Sequence, residues 1–185
     1  MHVLAELWLP IVVSAVAVFV ASSLIHMLLP IHRGDYQRMA DEDAHLDALR
    51  DLEPGQYMFP CPSSMKEMGT PEMIERYNRG PVGTMIVLKN GPPGVGASLI
   101  QWFVFTLVVG ALVAHVVHFA LPAGAETSHV FHLSGLAAFL GYGFSSVTDS
   151  IWKGLRWTTT LKFVFDGTVY ALVTAQTFAL MWPAA

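Results

Sequence analysis

Read for hydrophobic and polar positions, the chain alternates four long apolar runs with polar stretches of very unequal length. The runs cover roughly residues 7–29, 99–121, 130–151 and 159–182. Each exceeds the roughly 20 residues that an α-helix needs to cross a hydrocarbon core, so the pattern predicts four transmembrane helices. The third and fourth are less apolar than the first two, with Tyr142, Asp149, Lys162, Asp166 and Tyr170 set among small residues.

Residues 31–98, between the first two runs, are too long and too patterned to be a tether. Residues 41–52 read as a short helix, with Asp41, Glu42 and Asp43 at its positive end and Arg50 near its negative end. A second helix is predicted by Thr70 as N-cap, Pro71 at the first helical position, Glu72 and Glu75 in the first turn, and Gly80 as terminator. The runs 57–59 and 84–88 predict two short strands that pair. The expected fold is therefore an all-α membrane protein, a single membrane domain over 1–185. It has four transmembrane helices and a small cytoplasmic α/β cap between helices one and two.

Composition and charge sharpen this picture. With 54% hydrophobic and 13% charged residues and a mean hydropathy of +0.50, the chain lacks the charge that a water-facing surface requires. Nine of the ten Lys and Arg residues lie in two of the polar stretches, and the tenth, Lys162, stands just inside the fourth run. Arg33, Arg38, Arg50, Lys66, Arg76, Arg79 and Lys89 separate helices one and two. Lys153, Arg156 and Lys162 surround the turn between helices three and four. Because cationic residues favour the cytoplasmic side, both termini of this multi-pass protein are expected outside. The first run has no basic leader and is too long for a signal-peptide core, so it reads as a retained helix.

The partner classes narrow accordingly, to the lipid bilayer and a homo-oligomer or larger membrane complex. Acidic residues outnumber basic ones in the insertion, which argues against a nucleic-acid partner. Gly91-Pro-Pro-Gly-Val-Gly96 has the spacing of a phosphate loop, but Ala97 stands where the lysine belongs and the following helix runs into the bilayer, so no nucleotide is expected. It reads instead as a hinge, with Trp102 as an interfacial anchor. Cys61 is the single cysteine and excludes an intrachain disulfide. Cys61-Pro62 is too short a signal for haem and reads as a loop thiol, and no cofactor is indicated by any motif.

Two groups of residues carry candidate chemistry. Ala137, Gly141, Ser145 and Asp149 recur every four residues, as do Gly167, Ala171, Ala175 and Ala179, and such small ridges allow close helix approach. Beside the second ridge run Lys162, Asp166, Tyr170 and Thr174, matched by Tyr142, Ser146 and Ser150 on helix three and by Ser22 and His26 on helix one. This polar seam (His26, Tyr142, Asp149, Lys162, Asp166, Tyr170) has two readings. In the structural one, Asp166 pairs with Lys162, and Asp149 pairs with Lys153 or Arg156. In the functional one, Asp166, Tyr170 and His26 line a cavity and handle a proton, ion or small ligand. The second group, His115, His118, His129 and His132, forms two pairs at one-turn spacing near the outer face, with Glu126, His2 and Glu6 as neighbours. Imidazole suits zinc, copper, nickel or iron, but no compact zinc signature is present, and interfacial anchoring is the default reading of these histidines. No nucleophile elbow, zincin helix or dinucleotide fingerprint is present, so the chain leans away from an enzyme.

The run Gly141-Tyr-Gly-Phe-Ser-Ser-Val-Thr-Asp-Ser-Ile-Trp-Lys-Gly-Leu-Arg-Trp157, with Lys162-Phe-Val-Phe-Asp-Gly-Thr-Val-Tyr170, resembles small four-helix integral membrane proteins of bacteria that carry no assigned activity. Pro54-Gly-Gln-Tyr-Met-Phe-Pro-Cys-Pro62 and Asn78-Arg-Gly-Pro-Val-Gly83 are similar to stretches of the same proteins. The resemblance implies an inner-membrane location and four helices, and brings no reaction or ligand. The small-residue faces and the structured cap lead to the first functional expectation, an accessory or assembly subunit of a membrane complex. The alternatives are a small ion, proton or metabolite carrier using the seam around Asp166, and a metal-binding redox or sensor protein using the outer histidines.

Overall fold

The computed structural model describes residues 2–185, with side chains from Val3 onward. The chain divides into two compact units, one running to Tyr36 and resuming at Gly94, the other spanning Gln37–Pro93. In the first unit a short helix, His2–Glu6, precedes four helices long and apolar enough to cross a membrane. These spans are Trp8–Leu28, Val95–Ala120, Thr127–Lys153 and Trp157–Leu180. Each span packs on its chain neighbours and the first closes on the fourth, giving an up-and-down bundle.

The first span shows how sequence sets the packing. Leu7, Ile11, Ala15 and Val18 are buried at helical spacing, whereas Leu9, Val13, Val16 and Val20 are equally apolar and exposed. Apolar residues on both faces are what a helix between protein and lipid requires. The regular helix runs from Trp8 to Ser23 and then widens into a π-helical turn over Leu24–Leu28. Pro30, which has no N–H to continue the ladder, opens a single 3₁₀ turn over Pro30–His32.

The third and fourth spans make the most extensive contact. Gly167, Ala171, Ala175 and Ala179 are all buried, as the small ridge on the fourth helix predicts. The opposing line is not the predicted one. A Cβ on Gly167 would lie 2.2 Å from the Gly143 Cα, and one on Gly135 would lie 3.2 Å from the Ala175 Cβ. Gly141 instead approaches Val109 of the second span, and Ser145 is exposed. Small residues occupy two phases of the third helix, and a four-residue spacing alone does not choose between them. The third span is also interrupted. Its α-helix ends at Tyr142, a 3₁₀ turn covers Phe144–Ser146, and helix resumes over Val147–Lys153. Gly143 weakens the helix there, and the Ser146 hydroxyl donates to the Gly143 carbonyl at 2.6 Å.

Residues 37–93 form a two-strand, two-helix unit. Gly55–Phe59 pairs antiparallel with Gly83–Val87, with Tyr57 opposite Met85, close to the expected 57–59 and 84–88. The helices are Glu42–Leu49 and Pro71–Arg79. Thr70 caps the second, its hydroxyl oxygen accepting the Met73 N–H at 3.3 Å, and Gly80 ends it with φ 62°. Within this unit Met73 is the one fully buried large apolar side chain among the described residues, so its core is small.

Candidate functional site

The seam assembles where the end of the first span meets the start of the fourth. Asp166 lies nine residues into the fourth span, roughly 13 Å along its axis at the α-helical rise, and is 2% exposed. Its Oδ2 faces His32 Nε2 at 2.9 Å and His26 Nε2 at 3.5 Å. The other nitrogen of His32, Nδ1, lies 2.6 Å from Asp35 Oδ2. Lys162 Nζ donates to the remaining Asp35 oxygen, Oδ1, at 2.5 Å. The result is one chain of polar groups, Lys162–Asp35–His32–Asp166, with His26 at the side.

Local irregularity in the first span makes this convergence possible. On a regular helix six residues rotate a side chain by roughly 600°, so positions 26 and 32 point in different directions. The π turn and the 3₁₀ turn break that phase, and the two imidazoles stack with centroids 4.4 Å apart. Phe163 also stacks on His32, at 5.5 Å. His32 thus contacts two rings and two carboxylates, while the His26 side chain remains 43% exposed.

Asp35, outside the spans, has a buried side chain. Burial would raise its pKa, but the hydrogen bonds from Lys162 and His32, with their charges, outweigh it and hold the carboxyl below its ordinary value. Asp35 is thus the anionic anchor of the network. Asp166 is less well provided. Its Oδ1 is buried without a hydrogen-bond partner, and so is the Tyr170 hydroxyl one turn further along.

Both residues line a cavity of about 540 Å³, walled by Ser22, His26, Trp102, Tyr142, Ser146 and Asp149 among others. Trp102 donates its indole N–H to Ser22 Oγ at 2.8 Å, a more specific role than interfacial anchoring. The Tyr142 hydroxyl donates to the Thr106 carbonyl at 3.4 Å. Asp149 pairs with Lys153 at 2.7 Å, one of its two expected partners.

The structure thus brings His26, Tyr142, Asp149, Asp166 and Tyr170 to one cavity and places Lys162 behind it through Asp35. The expected Lys162–Asp166 pair is replaced: Lys162 is taken by Asp35, and His32 occupies the position that Lys162 would need. Sequence reasoning missed His32 and Asp35. The available signal was a second histidine and a carboxylate directly after the first apolar run, beside Pro30, which there read as the start of a loop.

The histidines of the second and third spans behave differently. His115 and His132 each place Nδ1 within 2.9 and 2.7 Å of a carbonyl one turn back on their own helix, those of Ala111 and Ser128. His118 lies 3.9 Å from Glu6, and His129 is exposed. The suggested neighbour His2 lies outside the described side chains. Among the described residues, the one group of three or more His, Cys, Asp or Glu with mutually close donor atoms is His26, His32 and Asp166, all within 4.8 Å.

Fold and site together define a multi-span helical membrane protein with a polar cluster buried at one end of its bundle. The chain matches no protein family model, no curated protein and no solved structure.

Proposed function

We propose that this protein binds and carries a cation across the bacterial inner membrane, using the seam around Asp166. The observation that carries this reading is the Asp166 carboxylate, 2% exposed and with Oδ1 unpartnered beside the cavity. An unmatched carboxylate oxygen is costly in a span, and a cation bound at the Asp166 carboxylate offsets that cost. By the distribution of Lys and Arg, both termini face outside and the seam opens toward the cytoplasm.

The reading of an accessory or assembly subunit drew on small-residue faces seeking a partner. Gly167 and Gly143, and Gly135 and Ala175, meet within the chain itself, so those faces supply no argument for another subunit. The test is flux in proteoliposomes containing the full chain, with proton, sodium, potassium and divalent-cation reporters. Wild type is expected to pass at least one cation above protein-free vesicles, and Asp166→Asn to abolish that flux while keeping a monodisperse, folded protein. Equal flux through both proteins would remove the basis of the proposal.

A further inference from the structure

We infer that His26, His32 and Asp166 form a binding site for a divalent transition-metal ion, oriented from behind by Asp35 and Lys162. This deepens the reading of the seam as a cation site and rests on it. The donors fit the chemistry. Two imidazole nitrogens and one carboxylate oxygen suit a borderline ion such as zinc or ferrous iron. Calcium and magnesium prefer oxygen-only shells, and cuprous ions prefer sulfur.

Metal–ligand bonds of about 2.0–2.1 Å place neighbouring donors of a tetrahedral shell roughly 3.3 Å apart. The separations of 2.9 and 3.5 Å from Asp166 Oδ2 to His32 and His26 bracket that spacing. Because the two rings stack, a metal requires one to tilt, and the half-exposed His26 is the freer of the two.

The back of the site is what a metal-bound histidine needs. A ligating imidazole presents one nitrogen to the metal and donates its other N–H to a carboxylate, which fixes its tautomer and orientation. Asp35 takes that position on His32 Nδ1, and Lys162 holds Asp35. With Nε2 given to the metal, the remaining N–H of His32, at Nδ1, is the one that faces Asp35. Three protein ligands leave a coordination position unfilled by the chain, and two of them, His26 and Asp166, line the cavity together with Tyr170. An open position of this kind is what exchangeable or reactive metal sites retain.

The test is titration of the full chain, purified without a His-tag in detergent micelles, with Co²⁺ and then Zn²⁺. The expected result is one equivalent of Co²⁺ showing ligand-field bands of a nitrogen and oxygen shell, displaced by Zn²⁺. His32→Gln and Asp166→Asn should lose it, and Asp35→Asn, with every metal ligand in place, should weaken binding about 10–100-fold. A variant with His115, His118, His129 and His132 all changed to Gln should bind as wild type does. Folded wild type that takes up neither ion would overturn the inference, as would Co²⁺ retained in His32→Gln and lost in the four-histidine variant. If Asp166-dependent flux of a monovalent ion is then still seen, the carrier reading survives and only the metal is lost. Metal binding without flux has the reverse consequence.

Discussion

A membrane-buried carboxylate is tolerated when its surroundings supply hydrogen bonds, and Asp166 receives them on one oxygen only. Its depth in the fourth span made it conspicuous as a candidate, and the four-residue period placed Tyr170 beside it. His26 could be matched to it by depth. His32 and Asp35 could not, because residues six and nine positions beyond His26 share its direction only after a π turn, and no simple residue pattern announces that distortion. In the other unit, Glu67 accepts hydrogen bonds from both the side chain and the backbone N–H of Ser63, and these lower its pKa below the ordinary 4.5. Its stabilising contribution is therefore complete above that value and is lost as the pH falls through the lowered one. A carboxyl-carbon NMR titration should find the Glu67 midpoint below 4.5 in wild type, and Ser63→Ala should move it upward.

At the scale of elements, local chemistry made most of the boundaries readable. Thr70, Pro71 and Gly80 marked the cap helix to within a residue, and β-branched and apolar runs marked both strands. Phase was harder, because small residues at two phases of the third span allowed two registers, and the approaches of Gly143 to Gly167 and of Gly135 to Ala175 select one. Gly167→Ala places a methyl against backbone that cannot turn away, so it should destabilise the bundle by about 1–3 kcal/mol or more. Thermal unfolding in detergent would measure the loss. Gly141→Ala, facing the Val109 side chain at 3.3 Å, should cost less, and equal losses would argue against this packing.

For the whole molecule, length and hydropathy were enough to count the spans, while charge asymmetry is the sole argument for orientation. The exposed Cys61 is the chain's single thiol and serves as a built-in probe. A membrane-impermeant maleimide should leave it unlabelled in intact cells and label it after permeabilisation, whereas labelling in intact cells would reverse the assigned topology. The central claim, that the bundle binds a cation at Asp166, is tested most directly by thermal unfolding of purified wild type and Asp166→Asn across a series of cations. A ligand at about 100 times its dissociation constant stabilises the native state by about 2.7 kcal/mol. Wild type should therefore gain a saturable rise in Tm with one class of cation, Zn²⁺ or Co²⁺ foremost, and Asp166→Asn should gain none. The same rise in both proteins, or no rise with any cation, would contradict the account.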